Sequence, residues 1–271
     1  MKIGIFDSGL GGLFILKSII KKLPQYDYFY LGDTQRTPYG TRSHAAVYQF
    51  TKEAVGYLFH QNCQLIILAC NTASARALRK IQGEYLPKNY PSKRVLGVVI
   101  PTAEAIFENK MEPKRIGTLA TQGTVNSGAF IKEIRKINKE VKIFQQAAPL
   151  LVPLVENDGL KWAEPILRKY LRSLLSERIN ALVLGCTHYP ILKNKIRKII
   201  GKNIRIISQD GIIPAKLKNY LQRHSEIEKK LTQKRKRIFA VTDLTENFQH
   251  TAQKWLGRNI KLKKIRLKPL V

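Results

Sequence analysis

Short apolar runs separated by stretches of helical periodicity recur along the whole chain, the pattern of buried strands alternating with covering helices. The runs predict strands at 2–6, 26–31, 65–69, 95–100, 115–120, 142–145, 181–185, 204–208 and 237–241, with Pro101 and a helix-like stretch at 102–108 after the fourth. Such alternation predicts an α/β fold with mainly parallel sheets. Two of the runs close alike: Leu65-Ile66-Ile67-Leu68-Ala69-Cys70-Asn71-Thr72 and Ala181-Leu182-Val183-Leu184-Gly185-Cys186-Thr187-His188-Tyr189-Pro190. Each ends in a small residue, a thiol and a cluster of hydroxyl, amide or imidazole groups.

A buried strand that stops at a cysteine and turns into a helix sets sulfur at the carboxyl edge of a parallel sheet, where open α/β folds bind ligands. The residues after each cysteine, 73–81 and 191–199, read as helices with basic outer faces. Helix amino termini favour a thiolate and lower a thiol pKa from roughly 8.5, which makes Cys70 and Cys186 candidate bases. Cys63 has no polar cluster after it and reads as apolar filler at the start of its strand.

The repeated motif favours two domains in a chain of 271 residues. A composition shift after Pro91 and a second boundary near Ser208 divide it into 1–95 plus 209–271 and 96–208, the carboxyl-terminal segment returning to the first domain. Three cysteines and no amino-terminal signal peptide predict a reducing, cytoplasmic setting. No apolar run approaches the roughly 20 residues of a membrane span.

The formal charge is +29, from 48 Lys plus Arg against 19 Asp plus Glu, and raises nucleic-acid binding. Basic residues recur on almost every predicted helix, however, and the dense runs at 234–237 and 261–268 adjoin strand-like residues. Zinc-finger spacing, a helix-turn-helix signature and aromatic-basic RNA-binding strands are absent. Nucleic acid is therefore not expected as the main partner.

Three loops carry further chemistry. Asp7-Ser8-Gly9-Leu10-Gly11-Gly12 follows the first strand; its glycines permit positive φ, and its spacing is not that of a dinucleotide fingerprint. Asp7 and Ser8 suit an ammonium group and a neutral polar contact, or an amino-terminal cap. Gly32-Asp33-Thr34-Gln35-Arg36-Thr37-Pro38-Tyr39-Gly40 follows the second strand, with Asp33 a loop-ordering acceptor and Pro-Tyr-Gly a turn able to offer donors to a carboxylate. Thr121-Gln122-Gly123-Thr124-Val125-Asn126-Ser127-Gly128 is a weak anion-binding candidate. Glu156, alone after an apolar run, reads as a surface acid, and His188 as a structural histidine or a general acid.

Asp-Ser-Gly-x-Gly-Gly, Gly-Asp-Thr-x-x-x-Pro-Tyr-Gly, Ala-Cys-Asn-Thr-Ala-Ser, Thr-x-Gly-Thr-Val-x-Ser-Gly and Gly-Cys-Thr-His-Tyr-Pro occur in this order between Asp7 and Pro190. In this ordered set the chain resembles the glutamate branch of the cofactor-independent aspartate/glutamate racemase superfamily. Ser208-Gln209-Asp210 departs from the Asp-Ser pair common there. The resemblance implies two similar α/β domains with mainly parallel sheets and the active site in the cleft between them. It implies a two-base racemisation of glutamate without cofactor or metal, with aspartate or another amino acid as the alternative substrate. Cys70 then abstracts the Cα proton of the D-isomer and Cys186 that of the L-isomer, with Asp7 assisting the first and His188 and Glu156 the second. Asp7, Ser8, Tyr39, Gly40, Asn71, Thr72, Thr187 and His188 match the family's substrate contacts, with Thr121 and Thr124 weaker candidates. A homodimer and a supply of D-glutamate for peptidoglycan follow from the same resemblance.

Other readings fit less well. A dithiol redox protein wants Cys-x-x-Cys, a cysteine hydrolase leaves the second thiol unexplained, and zinc on Cys70, Cys186 and His188 lacks a fourth ligand.

Overall fold

The computed structural model describes residues 1–108, 113–256 and 260–267; Lys268 of the carboxyl-terminal basic run lies outside the described residues. The strands are β1 (Lys2–Asp7), β2 (Tyr28–Gly32), β3 (Cys63–Leu68), β4 (Arg94–Gly97), β5 (Arg115–Ala120), β6 (Lys142–Ala147), β7 (Ala181–Gly185), β8 (Arg205–Ile207), β9 (Arg237–Val241) and β10 (Lys263–Lys264). They form a six-stranded sheet of order β10-β9-β2-β1-β3-β4 and a four-stranded sheet of order β6-β5-β7-β8. Every pairing is parallel.

The apolar runs reflect this burial. β2, β3 and β7 are buried at every position, as parallel strands covered on both faces must be. The segments β2-β1-β3-β4 and β6-β5-β7-β8 share one order. In each, the strand before a cysteine (β3 or β7) flanks the first strand of its sheet (β1 or β5), and the second strand lies on the other side. The crossovers diverge there and open a crevice at the carboxyl ends, the usual place for ligands.

The chain passes to the second sheet after β4 and returns after β8 through the helix Gln209–Arg223, which packs on the helices Gly12–Lys22 and Val99–Ala105. β9 then pairs with β2. One apolar cluster, including Ile5, Tyr30, Leu119 and Leu184, runs through both lobes.

Two elements differ from expectation. The run at 95–100 is not all strand: β4 ends at Gly97, where a Cβ would stand 2.2 Å from Ser74 Oγ. Ser74 Oγ then accepts the Val98 N–H at 3.1 Å, and the chain turns into the helix Val99–Ala105. β10 is a pair of exposed lysines on the sheet edge beside β9, with no apolar signal to announce it. Among the described residues no helix is long and apolar enough to cross a membrane.

Candidate active site

β1 delivers Asp7 to the crevice fully buried. Its Oδ2 accepts the Gly9 N–H at 3.0 Å and its Oδ1 accepts the Thr187 hydroxyl, from the other lobe, at 3.3 Å. The N-cap of the following helix is Gly11, without a side-chain hydrogen bond of its own, while the Asp7 carboxylate accepts the N–H of Gly12, the first helical residue. The glycines of this loop also adopt no positive φ, since Gly128 and Gly201 are the positive-φ glycines among the described residues. Close approach explains Gly11 instead: a Cβ there would lie 2.4 Å from Thr187 Oγ1 and 2.6 Å from the His188 ring.

Beside Asp7, β3 ends and Cys70 forms the N-cap of the helix Asn71–Arg76. Its Sγ–H donates to Ser8 Oγ at 3.3 Å. Burial, and then the neighbouring Asp7 charge, push the Cys70 pKa up to about 12, although the Ser8 hydrogen bond and the Ala73 N–H act the other way. The expectation that a helix amino terminus would lower it is therefore corrected: one hydroxyl and one backbone N–H do not offset removal of a thiolate from water. Cys63 sits buried at the start of β3, and burial raises its pKa likewise to about 12.

Cys186 follows β7. The helix expected at 191–199 is present, though it opens as a 3₁₀ turn, Tyr189–Leu192, and becomes α-helical from Lys193, so Cys186 does not itself cap it. Its Sγ lies 3.7 Å from Nδ1 of His188, whose Nε2 lies 2.8 Å from Glu156 Oε1. Burial by itself lowers the His188 pKa, but the Glu156 charge and the hydrogen bonds with Cys186 and Glu156 outweigh it and hold the imidazole well above its ordinary 6.5. These partners therefore favour the protonated imidazolium over the neutral ring. Burial raises the Asp7 carboxyl, with the His188 charge opposing.

The rim is built by hydroxyls and turns. Thr72 Oγ1 of the first lobe meets Thr121 Oγ1 of the second at 2.9 Å, and Thr121 Oγ1 meets Thr124 Oγ1 at 3.1 Å. Thr121 also caps the helix Gln122–Ser127. The Tyr39 hydroxyl donates to Asp33, which accepts Arg36 Nε at 2.7 Å and Thr242 Oγ1 at 2.8 Å, so Asp33 orders the loop. Gly40 backs onto Thr121, where a Cβ would stand 2.9 Å from Thr121 Cβ.

These elements enclose one cavity between the lobes. Ser8, Tyr39, Gly40, Cys70, Asn71 and Thr72 line it from the first lobe; Thr121, Cys186, Thr187 and His188 line it from the second. Asp7, Thr124 and Glu156 stand one layer behind and touch it through Thr187, Thr121 and His188. Glu156 is no surface acid; its side chain is 12% exposed. Thr37, Pro38 and Val152 also line the cavity, the last without any chemical signal in the sequence. Gln209, noted in the sequence only within the stretch that departs from the Asp-Ser pair and given no role, pairs with Asn71 from behind. The space left for solvent is about 20 Å³, room for roughly one water. Among the described residues no group of three or more His, Cys, Asp or Glu is placed to hold a metal ion.

Residues 14–209 match the model of the Asp/Glu/Hydantoin racemase family. A glutamate racemase from Geobacter metallireducens is 38% identical over 94% of this chain and 92% of its own length, and one from Sulfurihydrogenibium sp. is 37% identical over 100% and 99%. Among solved structures, glutamate racemase from Bacillus anthracis superposes with a TM-score of 0.89 at 32% identity, covering 98% of this chain and 97% of that one. Francisella tularensis glutamate racemase in complex with D-glutamate gives 0.87 at 31%, over the same shares.

Proposed function

Because this chain belongs to the Asp/Glu/hydantoin racemase family, we propose that it is an isomerase interconverting L- and D-glutamate by proton transfer at Cα between Cys70 and Cys186. One observation carries the mechanism: two thiols, borne at equivalent places on two different sheets, line a single cavity. Glutamate is favoured as substrate because the relatives and the D-glutamate complex are glutamate racemases.

Racemisation removes the Cα proton from one face and returns a proton to the other, which one base cannot readily do. Cys70 takes the proton of D-glutamate and Cys186 that of L-glutamate; in each direction the other thiol donates. The Cys70 thiolate is costly in the empty site. The ammonium group of glutamate, arriving beside Cys70 and Asp7, supplies the positive charge that lowers this cost. On the far side the His188 imidazolium, held by Glu156, stands within reach of the Cys186 sulfur to relay its proton.

The Cα proton beside an ionised carboxylate is weakly acidic, so the developing charge needs fixed donors and exclusion of water. Ser8, Asn71, Thr72, Thr121 and Thr187 provide hydroxyl and amide groups around the cavity, and no cofactor is invoked. The cavity lies between the lobes, so their closing on bound glutamate would exclude water for the chemistry. By resemblance to the family, the enzyme works in the cytoplasm as a homodimer and supplies D-glutamate for peptidoglycan; nucleic acid is not expected as its main partner.

The test is racemisation of L-glutamate and L-aspartate in deuterated water without added cofactor. Glutamate should racemise with deuterium entering at Cα, and Cys70→Ala and Cys186→Ala should each abolish it. Robust racemisation by either variant refutes the two-thiol assignment.

A further inference from the structure

We infer that Gln209 is a positioning residue for the Cys70 half of the site, holding the sulfur-bearing turn in place through Asn71. The two side-chain amides pair reciprocally: Asn71 Nδ2 donates to Gln209 Oε1 at 2.8 Å, and Gln209 Nε2 donates to Asn71 Oδ1 at 2.7 Å. Both residues are buried, Asn71 at 2% and Gln209 at 0% exposure. A buried amide without a partner is costly, so each holds the other where it is.

Their places in the chain give this pair its consequence. Asn71 directly follows Cys70 and opens the helix that Cys70 caps. Gln209 opens the helix by which the chain leaves β8, the last strand of the four-stranded sheet, on its way back to the first lobe. Gln209 does not line the cavity, whereas Asn71 does. The pair therefore ties the turn bearing one sulfur to the segment where the chain leaves the sheet bearing the other. Proton transfer at Cα requires both sulfurs in register, and small misplacements of a reacting group are expensive in rate.

This inference rests on the two-cysteine reading, and its test separates the two. Wild-type racemisation is measured first; its absence removes that reading and the inference with it. Given an active wild type, Gln209→Leu should lower kcat about tenfold or more with little change in KM. Primary isotope effects with Cα-deuterated D- and L-glutamate then report the cause. Transfer at Cys70 becomes more limiting, so the effect should rise from the D-isomer, where Cys70 abstracts, and fall from the L-isomer, where Cys186 abstracts. A general structural defect lowers the active fraction and leaves both isotope effects at wild-type values; that result, or a wild-type kcat, overturns the inference. Should Gln209→Leu not fold, Gln209→Glu keeps the shape. Its protonated carboxyl donates and accepts like the amide, while its carboxylate cannot donate to Asn71, so kcat should fall with rising pH where the wild type does not. A pH profile superimposable on the wild type overturns the inference equally.

Discussion

Glu156 Oε1 stands 2.8 Å from Nε2 of His188, and the opposite ring nitrogen faces the Cys186 sulfur at 3.7 Å. The acid is thus the counter-charge that keeps a buried imidazole protonated. In Glu156→Gln the burial effect acts with less opposition, so the protonated form of His188 is disfavoured relative to the wild type. We expect kcat to drop about 100-fold, the scale of a lost general acid, measured by circular dichroism of glutamate.

The same pair sets a pH dependence of stability. A histidine whose folded pKa is raised contributes stability fully below its ordinary 6.5 and loses it as pH climbs through the raised value. Urea unfolding of the wild type should show stability falling from neutral into alkaline pH, and Glu156→Gln should flatten that fall. Equal slopes in the two proteins contradict the assignment.

With a pKa of about 12, Cys70 is thiolate in only about one molecule in ten thousand at pH 8. Iodoacetamide should therefore modify Cys70 of the unliganded protein far more slowly than a free cysteine at that pH, followed by mass spectrometry. A rate like that of free cysteine would contradict the raised pKa.

Gly11→Ala isolates closure of the lobes. Gly11 has φ −57° and ψ −33°, which alanine adopts without strain. The added Cβ would nevertheless lie 2.4 Å from Thr187 Oγ1. The variant should fold with nearly unchanged thermal stability but lose about 100-fold in kcat/KM, the cost of roughly 1 Å of misplacement.

Asp33→Ala removes the acceptor shared by Arg36, Tyr39 and Thr242. It leaves the Arg36 guanidinium, half-buried against Glu53, short of one partner. Destabilisation of about 3 kcal/mol is expected from breaking a buried ionic network, together with weaker glutamate binding, because the Tyr39–Gly40 turn walls the cavity. Denaturant unfolding and KM measure the two effects.

The strands were legible because parallel strands covered on both faces must be apolar at nearly every position, and β2, β3 and β7 are. The paired cysteines were legible because each follows such a strand and is chemically out of character with it. Where the run continued past Gly97, apolar composition could not separate strand from buried helix. The deciding contact was the Ser74 hydroxyl on Val98, 24 residues away in sequence.

By itself the sequence determined the alternation of strand and helix, the placing of Cys70 and Cys186 at carboxyl strand ends, and the chemistry of the loops beside them. Those properties depend on near neighbours in the chain. Tertiary structure decided the burial that sets the Cys70 pKa, the partnership of His188 with Glu156 and the clasp of Asn71 on Gln209, the last between residues 138 positions apart. Electrostatic cost and hydrogen bonding depend on distance through space and on exclusion of water, and neither is written in the local order of residues.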